Sequence, residues 1–135
     1  MRNIMKKQDG ITGIGIIFVL AVLAGVVLIV LRLLPLYNEK FEVTATLNTV
    51  ASQPDAPKYT TTTAGNAFMR AIGTTTVNRF DDRTIKNHLK ILKPKKKGQP
   101  RMMHFQYEAR NKFVADIEFL LVFDKKIPLG APTAE

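Results

Sequence analysis

The groups this sequence offers for chemistry are His88 and His104, the adjacent acids Asp81 and Asp82, and a basic run of Lys93, Lys95, Lys96, Lys97 and Arg101. General acid–base work or metal binding needs such side chains to converge on one point. Neither histidine stands at a metal-ligand spacing from an acid or from the other, so both read as satisfied surface residues. Adjacent residues on a helix point apart, which makes Asp81 or Asp82 a helix cap rather than an acid/base pair. The chain has no cysteine, which excludes disulfides, thiolate metal sites and thiol catalysis. No hydroxyl lies in a Gly-x-Ser-x-Gly or Ser-x-x-Lys context. Gly13 and Gly15 sit within an apolar run and not after a strand, so they form no phosphate loop. The expectation is a protein that is not an enzyme and has no cofactor and no metal.

The basic run is the stronger signal. Between residues 83 and 107 there are eight Lys or Arg and no acid, in a chain of net charge +9. Such a stretch can neutralise nucleic-acid phosphates, lie against anionic headgroups, meet an acidic protein, or be a solvated turn. Lys95, Lys96 and Lys97 have no interleaved aromatic residues for base stacking, which disfavours nucleic acid. Lys93, Lys95, Lys96, Lys97 and Arg101 are therefore candidates for contact with anionic lipid or an acidic partner.

What must position these groups begins with residues 10–31, which are 22 consecutive residues without a charge. At about 1.5 Å per residue they make a helix of roughly 33 Å, enough to cross a hydrocarbon core of about 30 Å. A cleavable secretory signal has an apolar core of only about 7–15 residues followed by a small-x-small site. Here Arg32-Leu-Leu-Pro-Leu-Tyr37 follows instead, so the helix is expected to be retained. Arg2, Lys6 and Lys7 precede it, offset by Asp9, while Arg32 and Lys40 follow with Glu39 and Glu42. The positive excess before the helix places the amino terminus in the cytoplasm and the rest in the periplasm. Gly15, Ala21, Ala24 and Gly25 would let the helix pack closely against membrane-protein partners.

The entry into this helix has a second reading. A basic leader ends at Gly10, and Ile11-Thr12 opens the apolar run, which resembles a type IV prepilin signal cut between Gly10 and Ile11. Pilins of that kind usually carry Glu at the fifth mature position, to neutralise the new amino terminus of a neighbour in lipid. Here that position is Gly15. An unpaired charge in lipid costs several kcal/mol, so such a subunit would enter a filament poorly, or only at its end.

The chain as a whole divides into a basic leader (1–10), a transmembrane helix (11–36), a juxtamembrane helix (37–52), a linker (53–63), a small periplasmic α+β domain (64–127) and a disordered tail (128–135). Pro35 is expected to kink or interrupt the long helix. Val43, Leu47 and Val50 then recur at i, i+4 and i+7, an apolar face. Thr63 is the expected cap of a helix carrying Phe68 and Ile72. Three strands follow. One is "HLKILK"; one is "MMHFQYEA", with Met103, Phe105, Tyr107 and Ala109 inward; the last has Ala115, Ile117, Phe119, Leu121 and Phe123 inward. The polar "ARNKF" between the last two reads as the hairpin connection. The fold expected is α+β and pilin-like: a long amino-terminal helix packed on a three-stranded antiparallel sheet.

The order "QDGITGIGIIFVLAVLAG", "LLPLYNEKFEV", "NRFDDRTIKNHLKIL" and "FQYEARNKFVADIEFLLVFDKKI" resembles a family of short proteobacterial single-pass membrane proteins. Their genes commonly lie between those of signal peptidase I and ribonuclease III. The markers are Pro35, Tyr37, Tyr107-Glu108 with Arg110, and Phe123-Asp124. An Asn usual in the turn before the last strand is replaced here by Ala115-Asp116. No established activity comes with the resemblance. It implies an inner-membrane protein acting by contacts in the envelope, with a minor pilin or pseudopilin as the alternative and a membrane-tethered RNA-binding domain as the third.

Overall fold

The structure, a computed structural model, describes residues 13–130. Its first element, α1, is one helix over Gly13–Ala51, and its two halves differ in burial. In the first half Ile14, Phe18, Leu23 and Leu31 are all more than half exposed, and no part of the most apolar stretch is buried against protein. In the second half Leu36, Val43, Leu47, Val50 and Ala51 are buried, the stripe that the i, i+4, i+7 spacing foretold.

The expected interruption at Pro35 does not occur. Proline removes one amide donor, the partner of the Leu31 carbonyl, but the turns on either side keep theirs. Threonines that disfavour helix in the second half are accommodated by back-bonding: the Thr44 and Thr46 hydroxyls donate to the carbonyls of Lys40 and Glu42, each at 2.8 Å. A buried apolar stripe outweighs the weak local propensity.

The segment read as a linker is shorter than expected. It holds a single 3-10 turn at Ala56–Lys58, and α2 already begins at Thr61, running over Thr61–Ile72. The cap is Thr60, not Thr63: the Thr60 hydroxyl accepts from the Thr63 amide at 3.3 Å. Thr60 is the residue with extended backbone, and only from that position does the side chain reach the free amides of the first turn. The face expected on α2 is present, with Phe68 and Ile72 buried.

A one-turn helix, α3 over Ile85–His88, leads into the sheet. Neither Asp81 nor Asp82 caps it through a side chain. Instead the Asp81 carbonyl accepts from the amides of Thr84 and Ile85, and its carboxylate accepts from the Arg83 amide at 3.3 Å.

Strands β1 (Leu89–Leu92), β2 (Met102–Val114) and β3 (Ile117–Pro128) form an antiparallel sheet in the order β1-β2-β3. His88, read as part of a strand, ends α3 instead. The hairpin connection is not "ARNKF": Ala109, Arg110, Asn111, Lys112 and Phe113 all lie within β2, and the turn falls at Ala115-Asp116. The polarity of that stretch marks an outward strand face and not a loop. Met103, Phe105, Tyr107 and Ala109 are buried, as expected. On β3 only Phe123 and Ile127 are fully buried; Phe119 and Leu121 are half-buried and Ile117 is exposed. The α1 stripe and the inner faces of α2 and the sheet form one core. Half-buried Phe80 closes over it, meeting Phe68, Phe105 and Tyr107 edge-on.

The direction of the sheet relative to α1 positions everything else. At one end the Gly130 amide donates to the Ala51 carbonyl. At the other the Asn111 amide group donates to the Arg32 carbonyl at 3.2 Å, and the Arg32 guanidinium to the Lys112 carbonyl at 3.5 Å. The β2–β3 turn therefore lies beside the apolar half of α1, and the β1–β2 loop lies at the far end.

Candidate functional site

Lys93, Lys95, Lys96 and Lys97 sit together in the β1–β2 loop, and residues 93–100 are all exposed. Among the described residues no acid pairs with these lysines, and the loop turns at Gly98 with φ +90°. Arg101 does not join them. Its guanidinium donates to the Pro57 carbonyl at 2.6 and 3.1 Å and to the Tyr59 carbonyl at 2.7 Å, holding the 3-10 turn against the start of β2. The ten residue steps of β2 from Met102 to Lys112 amount to about 33 Å. The lysines thus stand far from the end of the sheet that is tied to Arg32.

Gly10 and Ile11, the candidate processing site, lie outside the described residues, as does the basic leader. Gly15 lies within α1.

The histidines are engaged separately. His104 on β2 meets the Asp124 carboxylate of β3 diagonally at 2.7 Å, and Gln106, which stands opposite Asp124, donates to the same carboxylate at 3.4 Å. His88 Nδ1 is 3.1 Å from the Gln106 carbonyl. Both positions are consistent with satisfied surface histidines.

A cluster that the sequence does not announce lies just beyond the apolar half of α1. Glu39 and Glu42, one turn apart, face the segment after α2. Arg79 forms a bidentate pair with Glu39, Nε at 2.7 Å and Nη2 at 3.3 Å, and the Thr76 hydroxyl donates to Glu42 at 3.0 Å. These bonds fix the segment that delivers Phe80 to the core. Beside the pair is a cavity of about 440 Å³ bordered by Pro35, Asn38, Glu39, Asn78 and Arg79.

Below the ion pair the Tyr107 hydroxyl is buried beside the Glu39 carboxylate, with no well-aligned hydrogen-bond partner among the described residues. Burial, then the nearby Glu39 carboxylate, pushes its phenol well above the ordinary value. The bond to Glu39 holds the Arg79 guanidinium more firmly protonated than usual. No local pattern signals contacts between residues 39, 79 and 107. Each comes from a different element, and only packing unites them.

The turn between β2 and β3 is the last notable feature. Val114 and Ile117 are exposed, at 58% and 61%. Behind them Phe113 and Phe119 pack together at a centroid distance of 5.2 Å. Phe113 is the extra residue of a bulge between Lys112 and Val114.

Neither the curated proteins nor the solved structures include a match to the chain. The family described as a domain of unknown function (DUF4845) matches residues 32–123. That match starts at the first charged residue after the apolar half of α1 and ends in β3, taking in the Glu39–Arg79 pair, Tyr107 and the lysine loop. It spans well over half of the chain, and the chain belongs to the DUF4845 family.

Proposed function

We propose that this is a single-pass inner-membrane protein that acts by contact and not by catalysis. Its amino terminus would be cytoplasmic and its α+β domain periplasmic. The observation that carries the reading is α1 itself. Its first half is apolar on every side, long enough to cross a bilayer, and covered by nothing in the fold. Water is a poor solvent for such a surface, and lipid a good one. The charge difference across the helix supports the orientation.

In this reading the domain is a rigid spacer. The lysine loop stands at the end of the sheet remote from the membrane, about 33 Å along β2, too far for the same leaflet's headgroups. A Debye length near 8 Å leaves little attraction at that range. An acidic protein partner is thus the better occupant for Lys93, Lys95, Lys96 and Lys97. A reporter enzyme fused after Glu135 tests the topology: activity restricted to the cytoplasm would overturn it. Photocrosslinkers at Lys96 should trap protein with a yield that falls as salt rises. Trapping of lipid alone would overturn the loop's assignment.

The second reading, a minor pilin or pseudopilin cut after Gly10, is favoured by one feature. A 39-residue helix runs unbroken from the apolar stem into the packed core, the arrangement a pilin-like subunit uses. Intact mass separates the two, since only a processed subunit would begin at Ile11.

A further inference from the structure

The structure assigns the tip of the β2–β3 hairpin to the bilayer surface, as a second membrane contact beside the helix; the assignment rests on α1 spanning lipid as proposed. Arg32 is the first charged residue after the apolar run, so it marks the level where hydrocarbon gives way to headgroups. Two hydrogen bonds tie Asn111 and Lys112 to Arg32 at that level. The strand does not stop there. Two more residues of β2, Phe113 and Val114, come before the turn at Ala115-Asp116, which extends the hairpin about 7 Å further. Because β2 runs opposite to α1, that extension heads toward the membrane.

The composition of the tip matches this depth. Val114 and Ile117 present apolar side chains to the surroundings, and Leu120, 53% exposed, sits opposite Arg110 at the level of Arg32. A soluble hairpin tip usually carries polar residues at such positions, and an apolar group in the headgroup–acyl boundary gains what it loses in water. The charges also suit an interface and not the hydrocarbon interior. Lys112 stands opposite Glu118, and Arg110 lies 3.4 Å from Glu108. Asp116, exposed at the turn, is the deepest charge of the hairpin and its unfavourable group; there a carboxylate costs less than the roughly 2–4 kcal/mol of a basic side chain at the bilayer midplane. On the helix Tyr37 is 61% exposed, one to two turns beyond Arg32, where an amphipathic ring anchors at headgroup level. Helix and hairpin together would fix the tilt and rotation of the domain on the membrane, which a single helix leaves free.

Depth measurement decides it. The chain contains no tryptophan and no cysteine, so single reporters are unambiguous. Full-length Ile117→Trp, Val22→Trp and Gln99→Trp variants would be placed in phosphatidylcholine–phosphatidylglycerol vesicles with brominated acyl chains. We expect Ile117→Trp to be blue-shifted and quenched by bromines near the top of the chain. Val22→Trp should be quenched by deep bromines, and Gln99→Trp by neither. Ile117→Trp emission matching that of Gln99→Trp, with Val22→Trp quenched, overturns the hairpin assignment alone. An unquenched Val22→Trp overturns the membrane reading and the hairpin with it. Tryptophan itself favours interfaces, so a smaller probe is needed as well. Ile117→Cys in the same vesicles should react with a water-soluble maleimide about tenfold more slowly than Gln99→Cys, since a thiol held in apolar surroundings forms little thiolate. Equal rates would overturn the proposal.

Discussion

Tyr107 carries a buried hydroxyl beside the Glu39–Arg79 pair that makes no well-aligned hydrogen bond among the described residues. A buried polar group left unpaired costs about 1–3 kcal/mol. Tyr107→Phe should therefore be neutral or stabilising in thermal unfolding at neutral pH, where an ordinary core tyrosine would lose stability. The same residue predicts an alkaline effect. Its phenol is raised in the folded protein relative to the unfolded value of 10.0, so the folded state holds the proton longer. Below that value both states are protonated and pH has no effect through this group. Above it the unfolded chain ionises first, and stability falls by about 1.4 kcal/mol per pH unit. Urea titrations at rising pH should show that slope reduced in Tyr107→Phe; identical slopes in the two proteins would refute it.

At the scale of the element, the hairpin is built against local preference. Ala115 takes φ +49°, a left-handed conformation in which a Cβ crowds the backbone at a cost of about 1–2 kcal/mol. A two-residue hairpin turn with positive φ only at its first central residue favours Gly there. Ala115→Gly should raise stability by about 0.5–1 kcal/mol, measured as a rise in the midpoint of thermal unfolding. A fall would mean that the turn relaxes from this conformation. β3 has no bulge, so Ile117 keeps the face of Phe119, Leu121 and Phe123; it is exposed because it stands at the turn end of the hairpin, beyond the reach of the core. Alternation held on β2 from Met103 to Ala109 and on β3 from Phe119 to Phe123; what periodicity did not give was where along the hairpin the core ends.

At the scale of the molecule the two halves of α1 separate cleanly. The buried residues of α1 all lie at or beyond Leu36, so the core owes nothing to the apolar half. A fragment spanning residues 32–130 should therefore stay folded and monodisperse without detergent, with the circular dichroism of an α+β domain. The full chain should need lipid or detergent. An unfolded or aggregated fragment would show that the stem contributes to the fold.

Local patterns were enough to announce the apolar stem, the buried stripe of Val43, Leu47 and Val50, and three strands in their chain order, because hydrophobic periodicity is written over a few consecutive residues. They missed the cap at Thr60, the turn at Ala115-Asp116 and the continuity through Pro35, where neighbouring turns or a partner strand override local preference. The Glu39–Arg79 pair, the clamp of Arg101 on Pro57 and Tyr59, and the bonds joining Arg32 to the hairpin link residues about 40 to 80 positions apart. Nothing in the spacing of such residues encodes their meeting. By itself the sequence determined which segment is too apolar for water and where the basic side chains lie along the chain. Only the tertiary structure decided that the lysines stand at one end of the sheet and the hairpin tip at the other, because the direction in which the sheet packs on α1 is set by the whole core at once.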